Sequence, residues 1–401
     1  MEKNNSVVAA TNEKVSTAYI SDDIAFSILS KLPLKSFKRF ECLRKSWSTL
    51  CKNHHFMDMF RCNFLSNSHC EGASLLLFDN ENCNEVLYCV SGERFKNKIK
   101  LDFSNAFKKY LYFDIFSSIN GTICLHQNEQ NNYRKIVLWN PTTKIIKLLP
   151  CSKVESENFS DIYVPSRLHG FGYNHVTNDY NVIQLIKVCI KEKPSYDYSG
   201  DVKEFVSYRT VPKWEIYSLR SNSWRELDVD MPSSVDCTEG TQIYMDGVCH
   251  WLCEKHKDNP IGPCLVSFYL SNEVSFTTAI PPDVDDCFDV KAKWKNLVVL
   301  NGYIALISYR KETSTFRVSI LGQLGFKESW IKLFMVGPLP YVERPIGVGT
   351  KGEIFFIRKD KEVAWFDLST QMIDVLGYTT EGFHSLCRMI NYKESIVPFE
   401  E

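Results

Sequence analysis

The sequence predicts a small all-α module followed by a large all-β domain of repeated units, a β-propeller of six or seven blades. Three observations carry this expectation. The hydrophobic period changes from helical to strand-like near residue 65. Aromatic residues reach 13%, with 26 Phe and 19 Tyr, which suits pleated, half-buried surfaces. A glycine turn leading into an apolar strand recurs at intervals near 50 residues. At 401 residues the chain has room for two or three domains and a full core.

The helical part comes first. Residues 1–17 are polar, of mixed charge, and read as a disordered tail. Ser21 is placed as an N-cap, with Asp22 and Asp23 in the first turn, where acids favour the helix dipole. Ile24, Ile28, Leu29 and Leu32 then fall on one helical face. Pro33 is expected to end this helix. A second helix from Leu34 carries Phe37, Phe40 and Leu43 on one side, with Lys35, Lys38 and Arg39 mostly on the other. A third, short one holds Trp47 and Leu50, and Phe56, Met59 and Phe60 suggest a further turn. Three short helices enclose too little volume to hide all these apolar side chains, so some face should remain open to a partner.

From Ser74 onward the runs are strand-length and bounded by turn residues. Examples are Lys135–Trp139, Asn181–Lys187, Trp214–Tyr217, Tyr303–Ser308 and Val363–Phe366. The turn motifs Asn120-Gly121, Asp246-Gly247, Asn301-Gly302 and Lys351-Gly352 each enter an apolar strand. Gly247, Gly302 and Gly352 are spaced 55 and 50 residues apart. About 320 residues with such a period give six or seven four-stranded blades. Insertions are expected at Cys151–Leu168 and Lys191–Lys213. Loops on a rigid frame commonly carry specificity, so these two are the expected target-binding elements.

Composition removes several function classes. Hydrophobic residues are 44% and charged residues 24%, ordinary globular usage. A net charge of −1 argues against a protein that grips nucleic acid with its whole surface. No stretch approaches 18 uninterrupted apolar residues, so no membrane span is expected. No secretory h-region follows Met1, and the 15 cysteines have no regular spacing. They read as reduced thiols in a cytoplasmic and/or nuclear protein. The sequons at Asn4, Asn120 and Asn158 then carry no weight.

At this point the residues bear a resemblance. Ile20 to Phe56 resembles the F-box in its plant subclass, with Ile28-Leu29-Ser30-Lys31-Leu32-Pro33-Leu34-Lys35-Ser36-Phe37 and Cys42-Leu43-Arg44-Lys45-Ser46-Trp47 at its core. The family's leading Leu-Pro is Ile20-Ser21 here. Downstream, Leu138-Trp139-Asn140-Pro141-Thr142-Thr143, Gly170-Phe171-Gly172-Tyr173, Asp179-Tyr180-Asn181-Val182, Trp214 to Leu227, Gly247 to Trp251 and Asn391-Tyr392-Lys393-Glu394-Ser395 resemble the F-box-associated interaction domain. That domain is related in pattern to kelch propellers, although no Gly-Gly doublet occurs in this chain. The resemblance implies a three-helix F-box at 18–60, a linker at 61–73 and a kelch-like β-propeller at 74–397.

It also implies a function. The chain would be the substrate-recognition subunit of an SCF-type ubiquitin ligase, binding a Skp-family adaptor and, through it, cullin and RING subunits. It would perform no chemistry and need no cofactor. Its contribution would be proximity of target lysines to the charged conjugating enzyme. The implied adaptor surface is Ile24, Ile28, Leu29, Leu32, Pro33, Leu34, Phe37 and Leu43, with Lys45 and Trp47 nearby. Several of these belong to the F-box core instead, Trp47 foremost. Residues 31–61 hold eight Lys and Arg against Glu41 and Asp58, an excess that would steer an acidic partner. The competing readings are a non-degradative F-box scaffold and a β-propeller enzyme with an accessory helical module.

Other constellations fail on their chemistry. Gly347-Val348-Gly349-Thr350-Lys351-Gly352 fits a dinucleotide pattern, but a strand is expected after it where phosphate would need a helix. Cys249, His250, Cys253 and His256 cluster, yet Cys249 and Cys253 share one strand face while His250 points away. Asp283, Asp285, Asp286 and Asp289 lack the Gly and Glu of a calcium loop. No G-x-S-x-G elbow marks a nucleophile.

Overall fold

The computed structural model describes residues 21–32, 36, 40, 43, 47, 50, 53–66, 74–81, 84–101, 113–128, 134–152, 166–191, 208–232, 240–253, 262–282, 284, 293–380, 387–395 and 399. The chain forms two compact units, residues 1–63 and 64–401.

The described residues of the N-terminal unit form α1 (Asp22–Leu29) and the start of α2 (His54–Ser66). Ser21 stands at the N-cap with an extended backbone, but its side chain makes no cap bond; its carbonyl accepts from the Ala25 N–H at 3.0 Å. The helix closes at Leu29, four residues before Pro33, through tighter bonds from the Lys31 and Leu32 amides to the Ile28 and Leu29 carbonyls. The turn expected at 56–60 belongs to a 13-residue helix. Asn53 starts it, its Oδ1 accepting from the Phe56 amide at 3.0 Å. Phe56, Met57, Phe60 and Phe64 form its buried stripe. Phe26 meets Phe56 edge-on at 5.7 Å, and Asn63 Nδ2 donates to Ser30 Oγ at 2.9 Å. The second expected helix, and most of the third, lie outside the described residues.

In the second unit the described residues form six four-stranded sheets, each an antiparallel meander. The first joins both ends of the chain: β24 (Arg388–Tyr392), β1 (Ser74–Glu81), β2 (Asn84–Ser91) and β3 (Asn97–Leu101), in that order. The second is β4 (Phe113–Ile119), β5 (Thr122–Asn128), β6 (Arg134–Asn140) and β7 (Ile145–Leu148). The third is β8 (Ser166–Asn174), β9 (Asp179–Lys191), β10 (Tyr208–Ser218) and β11 (Ser223–Leu227). The fourth is β12 (Gln242–Met245), β13 (Val248–Cys253), β14 (Cys264–Tyr269) and β15 (Ser275–Ala279). The fifth is β16 (Lys293–Leu300), β17 (Tyr303–Arg310), β18 (Thr315–Leu321) and β19 (Trp330–Val336). The sixth is β20 (Val342–Val348), β21 (Ile354–Arg358), β22 (Glu362–Phe366) and β23 (Ile373–Thr379). The first strands of neighbouring sheets touch around an axis, so the unit is a six-bladed β-propeller. The sequence period allowed a seventh blade because long connections occupy length that would otherwise be strand.

Strand polarity sorts the connections between two rims. One rim holds the first-to-second strand turns, such as 120–121, 246–247 and 301–302, and the third-to-fourth turns, such as 141–144 and 219–222. They run from two residues to eight, the longest being 322–329. Asn120-Gly121, Asp246-Gly247 and Asn301-Gly302 have positive φ at both residues (48° and 77°, 49° and 82°, 49° and 75°), as a two-residue hairpin whose twist matches its strands requires. The other rim holds the blade-to-blade and second-to-third connections. These include 102–112, 149–165, 192–207, 228–241 and 280–292.

The core lies between blades. Ile136 and Leu138 of blade two meet Val182 and Tyr217 of blade three, and Leu75 and Leu77 of blade one meet Phe355 and Trp365 of blade six. Two signature glycines exist for this approach: a Cβ on Gly172 would lie 2.8 Å from Cys249 Sγ, and one on Gly170 would lie 3.0 Å from Cys249 Cβ. Gly347 in β20 is tighter still, since its Cβ would fall on the Met389 carbonyl oxygen of β24.

Gly347→Ala is therefore expected to destabilise the propeller by about 2–3 kcal/mol, because backbone must move. Gly302→Ala, with no atom within 4 Å of the new Cβ, is expected to cost only the left-handed backbone, about 1 kcal/mol. Urea unfolding of the two variants checks the order.

Candidate functional site

In α1 the 3.6-residue period separates two faces. Ala25 and Leu29 are buried, while Ile24 and Ile28, one turn apart, remain 57% and 53% exposed. Leu43 is 72% exposed. Leu32 and Trp47 are half-buried, and the Trp47 ring centroid lies 6.2 Å from that of Phe40. Of the ten residues expected at an adaptor surface, Ile24, Ile28 and Leu43 are thus open, and Leu29 is covered. Pro33, Leu34, Phe37 and Lys45 lie outside the described residues. Adjacent exposed isoleucines on one helical face form the apolar strip that a partner helix or groove can cover.

The motif residues downstream serve the short-turn rim. Asn140 Oδ1 accepts from the Thr142 and Thr143 amides at 3.0 and 3.2 Å, while its Nδ2 donates to the Ser395 carbonyl at 3.0 Å. Asn174 repeats the device, capping the Val176 amide and donating to the Leu270 carbonyl at 2.8 Å. Asp179 accepts from Ser218 Oγ at 2.6 Å and from the Arg220 amide at 2.9 Å, and Asn181 Nδ2 donates to the Tyr217 carbonyl at 3.1 Å. Trp224 Nε1 reaches the Pro150 carbonyl of the preceding blade at 2.7 Å. These side chains are occupied in tying turns and blades together.

The two expected insertions both open on the long-connection rim. Their bounds change: residues 166–168 belong to β8, Lys191 to β9 and residues 208–213 to β10, so the connections are 149–165 and 192–207. Strand pairing runs from Tyr208↔Lys191 to Ser218↔Asn181, longer than polarity alone suggested, because Arg209, Pro212 and Lys213 interrupt the apolar pattern.

Among the other constellations, Cys249 and Cys253 lie fully buried in β13. His250 is also fully buried, its Nδ1 2.8 Å from Ser267 Oγ, and burial pushes its pKa down to about 4. His256, Asp283, Asp285, Asp286 and Asp289 lie outside the described residues. Gly347 and Val348 end β20, and Gly349 to Gly352 turn into the buried strand β21, where phosphate would need a helix.

One feature escaped the sequence reading. A cavity of about 620 Å³ runs along the propeller axis, lined by the innermost strands β4, β12, β16, β20 and β24. It includes Lys295, Arg344, Arg388 and Lys393. Lys295, Arg344 and Arg388 lie far apart in sequence; their shared signal is a matching place near the start of an innermost strand, which needs the blade register to be seen.

An N-terminal helical unit followed by a six-bladed propeller whose signature side chains knit the turns defines a β-propeller protein with a helical N-terminal unit. The family model described as the F-box associated beta propeller domain matches residues 118–396. The chain belongs to that family, among plant F-box proteins. Its relatives in Arabidopsis thaliana include the F-box/kelch-repeat protein At3g23880, 22% identical over 84% of this chain and 85% of that one. The F-box protein CPR1 is 23% identical over 90% of this chain and 84% of its own length. The F-box protein At1g52495 is 26% identical over 61% of this chain, which spans about half of that relative's length (52%).

The buried His250 makes a pH prediction. Between pH 4 and 6.5 the unfolded chain binds a proton there that the folded chain does not, so stability rises with pH across that window. The contribution, about 3 kcal/mol at most, is present above pH 6.5 and lost as the pH falls towards 4. His250→Asn is expected to flatten this part of the stability–pH curve measured by urea unfolding.

Proposed function

We propose that the chain is the target-receptor subunit of an SCF-type ubiquitin ligase. Its F-box would contain three helices, with domain limits at 18–60 and 74–397, and the propeller would be a kelch-like relative. The F-box would dock on a Skp-family adaptor that brings cullin and RING subunits, in the cytoplasm or nucleus. The chain itself would be non-catalytic, with its gain coming from raised local concentration of the target. The observation that carries the reading is the exposed Ile24–Ile28 face of α1, followed at residues 31–61 by eight cations against two carboxylates. Covering the exposed half of each isoleucine is worth about 1–1.5 kcal/mol, and the pair can anchor an interface centre. The positive excess would speed encounter with an acidic adaptor. Pro33, Leu34, Phe37 and Lys45 are proposed to extend the same surface, with Leu32, Leu43 and Trp47 beside it and Leu29 beneath.

The test is titration of the full chain with a purified Skp-family adaptor. Ile24→Asp with Ile28→Asp is expected to weaken binding by about 100-fold or more, since two apolar anchors are lost and charges are buried in their place. Both sites are exposed, so the variant should fold; undiminished affinity in a folded variant would refute the surface.

Target capture is proposed for the long-connection rim, with 149–165 and 192–207 as principal elements. Replacing 192–207 by a short Gly-Ser linker is expected to abolish target co-purification while leaving adaptor binding intact. Retention of the target by a folded variant would remove that segment from the site.

A further inference from the structure

The axial cavity has a charge pattern that the receptor reading does not use. Its described lining contains Lys295, Arg344, Arg388 and Lys393 and no Asp or Glu, in a chain of net charge −1. Lys295 is the third residue of β16, Arg344 the third of β20 and Arg388 the first of β24. By strand polarity all three sit towards the long-connection rim, whereas Lys393 follows β24 at the short-turn rim. The cavity therefore has a cationic tier near one mouth and a single cation near the other.

Each arginine bonds a backbone carbonyl of the neighbouring blade. Arg344 Nη2 donates to the Cys387 carbonyl at 3.3 Å, and Arg388 Nη1 donates to the Ile115 carbonyl at 3.2 Å. The carboxylates that face Arg344 are Asp79, which accepts from the Tyr378 hydroxyl at 2.7 Å, and Glu343, which binds Lys361 Nζ at 2.7 Å. Asp114 faces Arg388. Burial still dominates at both sites: it lowers the Arg344 pKa and pushes that of Arg388 down to about 10. Lys295 is only 6% exposed. A buried lysine and two half-buried arginines converge on one cavity, where low-dielectric walls strengthen their joint field. The innermost strands add backbone donors, because each is bonded to a neighbour on one edge only and turns the other to the axis.

We propose that this axial cavity binds a small, multiply phosphorylated anion, which enters at the long-connection rim and is held by Lys295, Arg344 and Arg388. The volume, about 620 Å³, suits a small organic polyphosphate and falls within the usual range of ligand sites. Arginine forks match phosphate oxygens, and a lysine adds a point charge. The ligand would stand where β24 closes the ring, so it would also stiffen the propeller against opening.

The test is calorimetric titration of the full chain with inorganic tripolyphosphate, paired with thermal unfolding. The expected result is one anion per chain, a raised Tm and affinity that falls steeply with salt. Arg344→Gln is expected to weaken binding by about 10-fold or more, the loss of one charge-assisted bond. Lys393→Gln, at an exposed residue, is expected to weaken it by about 3-fold through charge alone, and Lys100→Gln, exposed on the outermost strand β3, should change nothing. Should Arg344→Gln fail to fold, the contrast between Lys393→Gln and Lys100→Gln decides. Absence of saturable binding, more than one anion per chain, equal effects of the Lys393 and Lys100 variants, or equal affinity for an oligoglutamate peptide would each overturn the proposal.

Discussion

The propeller depends on one closure: its last strand is built into its first blade. β24 pairs with β1 from Ser74↔Tyr392 to Phe78↔Arg388, so residues more than 300 apart in the chain share a sheet edge. β24 also fills both neighbouring seams. Met389 and Cys387 enter the cluster shared with blade six, and Tyr392 enters the one shared with blade two. Arg344 and Arg388 bond across the same two seams, and Asn140 holds the Ser395 carbonyl beyond them. Phe399 continues to the cluster between blades two and three, 6.4 Å from Tyr180. Because the core lies between blades, an open ring would expose two apolar faces at once.

This closure separates structural work from recognition. On the short-turn rim, Asn and Asp side chains satisfy the turn backbone and leave little to offer a partner. On the long-connection rim the frame supplies only strand ends, and long segments are free to vary in sequence without disturbing the blades. A propeller held at its centre can carry such segments because their length costs little once the ends are fixed. The cationic end of the axial cavity opens towards the same rim, so a bound anion and a captured target would occupy one side of the ring.

Much of the architecture was legible because blade physics leaves local marks. The Asn-Gly and Asp-Gly turns read directly as hairpins, since few other residues accept positive φ at both positions. Helical spacing placed Ile24 and Ile28 together, but it also put Leu29 and Leu32 on their face, whereas Leu29 is buried with Ala25 and α1 ends before Leu32. Other features were hidden. Gly170, Gly172 and Gly347 looked like motif or nucleotide-loop glycines; their role as clearances for Cys249 and for Met389 of β24 appears only across a seam. The length of α2 was missed because His54, His55 and Asn63 dilute its apolar stripe. The cavity cations were invisible because they come from three strands on three blades. The bounds of the third-blade insertion shifted because polar residues on β10 are paired strand rather than loop.

Native-state hydrogen exchange on the full chain tests the closure most directly. If β24 locks the ring, amides of β1 and β24 that bond to each other should exchange only by global unfolding, with the same opening free energy as those of β13 and β17. Faster exchange in β24, at a distinctly lower opening free energy while the other blades stay protected, would show that the ring stands without its last strand and would contradict the account.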